Sequence, residues 1–132
     1  MTDSSILNLI PAAIRAADNA YIPYSGYRVG AALRAKDGTV FTGCNVENSA
    51  YPACICAERT ALVKAVSEGM RTFDALIVAT ANGGSPCGHC RQMLFEFAPD
   101  MPVLLVDFSG KVHVETTLRD LLPYGFGPHG ME

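Results

Sequence analysis

No stretch of this chain comes near the roughly 20 consecutive apolar residues that a membrane-spanning helix requires. The start, Met1-Thr2-Asp3-Ser4-Ser5, has no basic segment followed by an apolar one, so no secretory leader is expected. Charge is scarce: 17% of residues are charged and the formal net charge is -3. No basic run stands out, which argues against a nucleic acid polymer as partner. A regular, even-numbered cysteine framework is also missing. The five cysteines are clustered, which favours thiols and metal ligands in a reducing cytoplasm over disulfides. What remains is a chain of 132 residues, 49% hydrophobic, with a mean hydropathy of +0.19. That suits one compact domain over residues 1–132. The hydropathy is high for so small a domain and points to a subunit interface.

The periodicity of apolar residues predicts alternating helices and strands. Ile6, Leu9, Ile10, Ala13, Ile14 and Ala17 recur at helical spacing, so residues 4–20 read as helix with Ser4 or Ser5 as cap. Pro11 interrupts it. Either the helix kinks there, or a short turn ends at Ile10 and Pro11 opens the main helix. Residues 21–26 read as a loop. Residues 28–34 and 39–46 read as a hairpin around Lys36-Asp37-Gly38. A further loop runs over 45–52. Helices are expected over 56–68, stopped by Gly69, and over 87–97, ended by Ala98-Pro99. Residues 75–80 and 103–108 are continuously apolar, as in sheet strands covered on both faces. The link at Ser109-Gly110 is too short for a parallel crossover, so a last strand over 112–116 should run antiparallel. Thr117 can cap a short helix through Leu122. The expected fold is α/β: a three-layer α-β-α arrangement around a five-stranded mixed sheet.

Two predicted helix starts carry the chemistry. One is Cys56-Ala57-Glu58, the other Pro86-Cys87-Gly88-His89-Cys90. A lone C-x-x-C reads equally well as a redox pair or half of a structural zinc knuckle. Cys56 supplies a third thiolate, and catalytic zinc sites keep three protein ligands with the fourth position for water. Glu58 is then a carboxylate that need not bind metal and can move that water's proton. Cys54 is the rival fourth ligand of a closed, non-catalytic site. Cys44 reads as a core thiol, and His89 as facing away from the metal. Three thiolates on a zinc dication leave one negative charge, so Arg59 and Arg91 are candidates to offset it by hydrogen bonds to sulfur.

The chain resembles the small, homotetrameric, zinc-dependent cytidine deaminases over nearly its whole length. The resemblance rests on Tyr24-Ser25-Gly26-Tyr27-Arg28-Val29-Gly30-Ala31-Ala32, Gly43-Cys44-Asn45-Val46-Glu47-Asn48, Tyr51-Pro52, Ile55-Cys56-Ala57-Glu58-Arg59-Thr60-Ala61, Pro86-Cys87-Gly88-His89-Cys90-Arg91-Gln92 and Leu121-Leu122-Pro123-Tyr124-Gly125-Phe126-Gly127-Pro128. It implies a cytidine deaminase-like fold and hydrolytic deamination of cytidine and 2′-deoxycytidine to uridine and 2′-deoxyuridine, in pyrimidine salvage. It implies one zinc per subunit on Cys56, Cys87 and Cys90, with Glu58 as the catalytic acid/base. Asn45 and Glu47 would hold the ribose 3′-hydroxyl. Tyr27 would pack against the pyrimidine, and Ala57 would offer its backbone N–H to the base carbonyl. Tyr51 would line an intersubunit part of the pocket, and Phe126 would reach a neighbouring subunit's base. Shared sites imply a homotetramer. The alternatives are a deaminase of a blasticidin-type antibiotic, which the ribose-reading Asn45-Val46-Glu47 argues against, and a four-cysteine zinc module using Cys54.

Overall fold

The computed structural model describes residues 4–128. Met1–Asp3, read above as the start of a leaderless chain, lie outside the described residues. The N-terminal helical region is broken in two: α1 (Ser4–Leu7) and α2 (Ile10–Ala16), followed by a 3-10 turn at Ala17–Asn19. Pro11 falls in the first turn of α2, where a missing N–H costs nothing. Of the two paths open to the chain at Pro11, it takes the restart and not the kink, with the break one turn earlier than expected.

The other elements are β1 (Gly30–Ala35), β2 (Val40–Cys44), α3 (Ala57–Ser67), β3 (Phe73–Thr80), α4 (Gly88–Phe97), β4 (Pro102–Asp107), β5 (Val112–Thr117) and α5 (Leu118–Leu121). Thr117 caps α5, its Oγ1 accepting from the Asp120 N–H at 3.3 Å. The strand order is β2-β1-β3-β4-β5. β1 is antiparallel to both its neighbours, β3 and β4 are parallel, and β5 returns antiparallel to β4. The mixed sheet with an antiparallel last strand is therefore as the short link at Ser109-Gly110 requires.

Side-chain alternation divides the core into two layers. Ala31, Leu33, Leu76, Val78, Val103 and Leu105 face one way, where Ala61 and Leu62 of α3 and Leu94 of α4 cover them. Ala32, Ile77, Leu104 and Val106 face the other way, against Ile6 of α1, Leu9 at the cap of α2 and Ala13 of α2. Gly43 sets the height of α3 above the sheet. A Cβ there would lie 2.5 Å from the Ala57 carbonyl oxygen and 2.6 Å from the Ala61 nitrogen. Only glycine lets the first turn of α3 rest directly on β2.

β1 begins two residues later than its apolar pattern suggests. Asn45 is the reason. Its Oδ1 accepts from the Val29 N–H at 3.0 Å and its Nδ2 donates to the Tyr27 carbonyl at 2.9 Å. The side chain takes the Val29 N–H out of the strand ladder while the Asn45 N–H still donates to the Val29 carbonyl at 3.3 Å, and residues 27–29 stay in the loop. Cys44, read as a core thiol, is only half-buried, because β2 ends there at the sheet edge. No helix among the described residues is long and apolar enough to cross a membrane.

Candidate active site

Cys56 and Cys87 are the cap residues of α3 and α4, both in extended conformation and neither making a side-chain cap hydrogen bond. Serine, threonine or asparagine would satisfy the first N–H groups of such helices. Cysteine leaves those groups, and the positive helix ends, beside the sulfurs, an environment that favours thiolate. Cys90 follows one turn into α4 and is buried. The Cys56 and Cys87 sulfurs lie 3.5 Å apart, as do those of Cys87 and Cys90. All three sulfurs are within 4.8 Å of one another. Two sulfurs at 2.3 Å from a tetrahedral zinc would stand roughly 3.8 Å apart, so the cluster fits this metal with small adjustment.

The thiols share their protons unequally. The Cys56 thiol is pulled down to about 5, first by its hydrogen bond with Cys90, with Cys87 and the charge of Arg59 acting the same way. The Cys90 thiol is pushed up by that same bond and by burial. Arg59 gives one N–H to the Cys54 carbonyl at 2.7 Å, while its Nε is buried without a partner. A cationic donor left over beside a thiolate cluster fits a site built to carry excess negative charge. Arg91 is directed elsewhere. Its hydrogen bonds go to the Pro86 carbonyl at 2.8 Å, the Leu121 carbonyl at 2.7 Å and the Ser85 hydroxyl at 3.1 Å. It braces the loop before Cys87 against the end of α5.

Glu58 is 3% exposed. Burial pushes its carboxyl up to about 7, a value suited to gaining and losing a proton near neutrality. Cys54 stands outside the cluster. Its sulfur accepts from the Asn48 N–H at 3.2 Å, and His89 is exposed.

A cavity of about 170 Å³ opens over these groups, lined by Tyr27, Asn45, Cys56, Ala57, Glu58 and Cys87 among others. It lies at the carboxyl end of β3, where open α/β sheets bind ligands. A neighbouring depression is lined by Tyr24, Ser25, Glu47, Tyr51 and Cys54. Glu47 spends its carboxylate locally: Oε1 accepts from the Tyr24 and Ser25 N–H groups at 3.0 and 3.1 Å, and Oε2 from the Ser25 hydroxyl. The Ser25 hydroxyl, first of all, holds this carboxyl below its usual range. Tyr51 is 73% exposed and meets Tyr24 edge to face. Phe126 is 63% exposed and lies outside the cavity of its own chain. Its carbonyl accepts from Gln92 at 2.8 Å.

Sequence reasoning missed a third part of the wall, made by Thr80, Gly84 and Ser85. Thr80 is 2% exposed and its hydroxyl accepts from the Gly84 N–H at 2.8 Å. Asn82 accepts from the Tyr27 hydroxyl at 2.6 Å. The available signal was Thr80, the polar residue that closes the apolar run over 75–80 of the central strand.

Residues 3–105 match the family described as "Cytidine and deoxycytidylate deaminase zinc-binding region". A cytidine deaminase of Sporosarcina psychrophila is 52% identical over 121 residues, covering 89% of this chain and 88% of that protein. One from Halalkalibacterium halodurans is 47% identical, covering 93% and 95%. A crystal structure of cytidine deaminase from Burkholderia pseudomallei superposes with a TM-score of 0.85 at 46% identity, covering 96% of this chain and all of that one. With three convergent thiols, a buried carboxylate and this extent of likeness, the chain belongs to the zinc-binding cytidine and deoxycytidylate deaminase family.

Proposed function

We propose that this chain hydrolyses cytidine and 2′-deoxycytidine to uridine and 2′-deoxyuridine with release of ammonia. The observation that carries the reading is a buried carboxylate, Glu58, that lines one cavity with Cys56 and Cys87, two of three convergent thiols. Cys56, Cys87 and Cys90 would hold one zinc per subunit; when bound, zinc makes water a nucleophile at neutral pH. Glu58 takes a proton from the attacking water, gives it to the ring nitrogen, and then assists departure of the amino group. Its burial excludes bulk water from that exchange. Arg59 offsets the negative charge of the thiolates. Arg91 contributes by fixing the loop of Ser85 and Pro86.

Ala57 is the first residue of α3, so its N–H has no partner within the helix and is free for the base carbonyl. Tyr27 packs against the pyrimidine. Asn45 and Glu47 take the ribose 3′-hydroxyl, each with part of its capacity already fixing the loop from Tyr24 to Val29. The cavity of about 170 Å³ is smaller than the ~300 Å³ at the lower end for ligand pockets. That supports a homotetramer in which Tyr51 and Phe126 complete a neighbour's site. One domain over residues 1–132, a cytoplasmic setting and a role in pyrimidine salvage complete the reading, the reduced thiols suiting such a compartment.

The test is ammonia release from cytidine, deoxycytidine and blasticidin S, with zinc measured on the same sample. Turnover of both nucleosides with about one zinc per chain is expected. Bound zinc with turnover of the antibiotic alone, or of nothing, would overturn the substrate assignment. Sedimentation alongside should show a tetramer whose activity falls on dissociation.

A further inference from the structure

The turn between β4 and β5 carries a polar cluster with no part in the chemistry above. Asp107 Oδ1 accepts from the Ser109 N–H at 2.9 Å, the Ser109 hydroxyl at 2.6 Å and the Lys111 N–H at 3.2 Å. Its Oδ2 lies 2.7 Å from Nε2 of His113. The His113 ring is thereby fixed at one end of β5, with the side chains of the pair 31% and 17% exposed.

The fixed ring stands against Gly83. A Cβ on Gly83 would lie 2.5 Å from Cγ of His113, and Gly83 has φ +75°. No L side chain fits that position without moving the ring or the loop. The residues on either side of Gly83 are held by Tyr27. Asn82 accepts from the Tyr27 hydroxyl at 2.6 Å, and a Cβ on Gly84 would lie 2.8 Å from that same hydroxyl oxygen. The loop is therefore gripped by two side chains: Tyr27 meets Asn82 and Gly84, and His113 meets Gly83. Tyr27, Gly84 and Ser85 all line the cavity.

We propose that His113, oriented by Asp107, is a positioning residue for substrate binding, acting through Gly83 to hold residues 82–85 and Tyr27 as one wall of the cavity. β5 is an edge strand and the His113 ring is partly open to solvent, so the ring contributes little to the core. Its removal frees a wall that binding needs preformed. Tyr27 and Ser85 line the cavity and neither carries the proton or the metal in the proposed reaction, so the effect falls on binding more than on turnover. The substrate named is that of the proposed function, and the inference rests on it to that extent.

The experiment uses zinc-loaded full-length enzyme carrying His113→Ala, His113→Gln, Gly83→Ala, or Gly83→Ala with His113→Ala. His113→Ala should raise KM for cytidine about tenfold while kcat stays within about threefold. Zinc content should not change, and amide exchange over residues 82–85 should quicken. His113→Gln keeps a donor for Asp107 and should stay within about twofold of the parent in KM. Gly83→Ala should be worse than His113→Ala, and adding His113→Ala should restore part of its kcat/KM by removing the ring the new methyl strikes. An unchanged KM and unchanged exchange in His113→Ala would overturn the proposal. So would a parallel loss of kcat, zinc and Tm shared by His113→Gln, which is what a merely structural residue would give. If the parent enzyme does not act on cytidine, the substrate reading fails, and amide exchange still decides whether His113 holds the loop.

Discussion

On the thiol side of the cavity, the reactive side chains sit in the opening turns of two helices, and Glu58 and Cys90 are buried there. Across from it, Tyr27, Asn45 and Ser85, with Glu47 in the adjoining depression, all come from segments outside the helices and strands. Helix hydrogen bonds and the packing of α3 and α4 on the sheet hold the first wall. The second is held by side chains bonded to backbone and to each other across 16 to 55 residues of sequence. The first wall is therefore rigid by construction and suited to fixing a metal and a proton carrier. The second depends on a few polar contacts, each easily lost, and suits recognition of a variable sugar and base.

The largest effect should come from the rigid wall. Glu58→Gln keeps the shape of the buried side chain and removes its ability to carry a proton. kcat should fall by about 10²–10⁴-fold with zinc still bound, measured by ammonia release and metal content together. Residual activity near that of the parent would mean that another group moves the proton. The cysteines sharpen the contrast within this wall. Cys90→Ser should release zinc and lower Tm, because ligand binding and folding are linked. Cys54→Ser should keep zinc, since its sulfur is bonded to Asn48.

The first wall was legible in the sequence because its logic is local. Cys56 and Glu58 are two residues apart, Cys87 and Cys90 three apart, and each pair begins a helix whose apolar period can be counted. The strands were legible for the same reason, down to the antiparallel return forced by the short turn at Gly110. The second wall is not encoded in any period. Nothing in the spacing says that Asn45 takes over the ladder at Val29, that Glu47 folds back on Ser25, or that Arg91 reaches Leu121. Arg91 was, with Arg59, one of two candidates for the sulfurs from its place beside Cys90, but the helix turns its guanidinium toward the carbonyls of Pro86 and Leu121. The clamp of His113 on Gly83 joins residues from separate elements and leaves no local signal at all.

A middle-sized effect should come from Asn45. Asn45→Ala removes both a sugar-side amide and the two bonds that fix Tyr27 and Val29. Leaving those backbone groups unpaired costs about 1–3 kcal/mol. KM for cytidine should rise by roughly tenfold or more, with zinc retained and Tm lowered. Asn45→Asp keeps an acceptor for the Val29 N–H and loses the donor to Tyr27, so it should fall between the two. Equal KM values for the alanine variant and the parent would detach this residue from recognition.

The smallest effect is on acid stability, and it separates the walls by sign. Glu47 is held below the usual carboxylate range by the Ser25 hydroxyl first, and Asp107 well below it by the Ser109 hydroxyl and then His113. Both carboxyls are lower in the folded chain than in the unfolded one. Each therefore adds stability that is complete above a pH of about 4–5 and is lost as pH falls through the folded value. Glu58 has the opposite sign in the zinc-free chain: burial raises it from 4.5 to about 7, so its contribution is complete below the unfolded value and is lost as pH rises from there to about 7. Thermal unfolding of zinc-free protein should show both limbs. Glu47→Gln and Asp107→Asn should lower Tm at neutral pH and converge on the parent in acid, because the parent's own carboxylates are then protonated. Glu58→Gln should do the reverse, matching the parent below about pH 4 and exceeding it by the full amount above about pH 7. Curves for the three variants that run parallel to the parent at every pH would show that these carboxyls titrate alike in the folded and unfolded chain. The two walls would then differ in architecture and not in electrostatics.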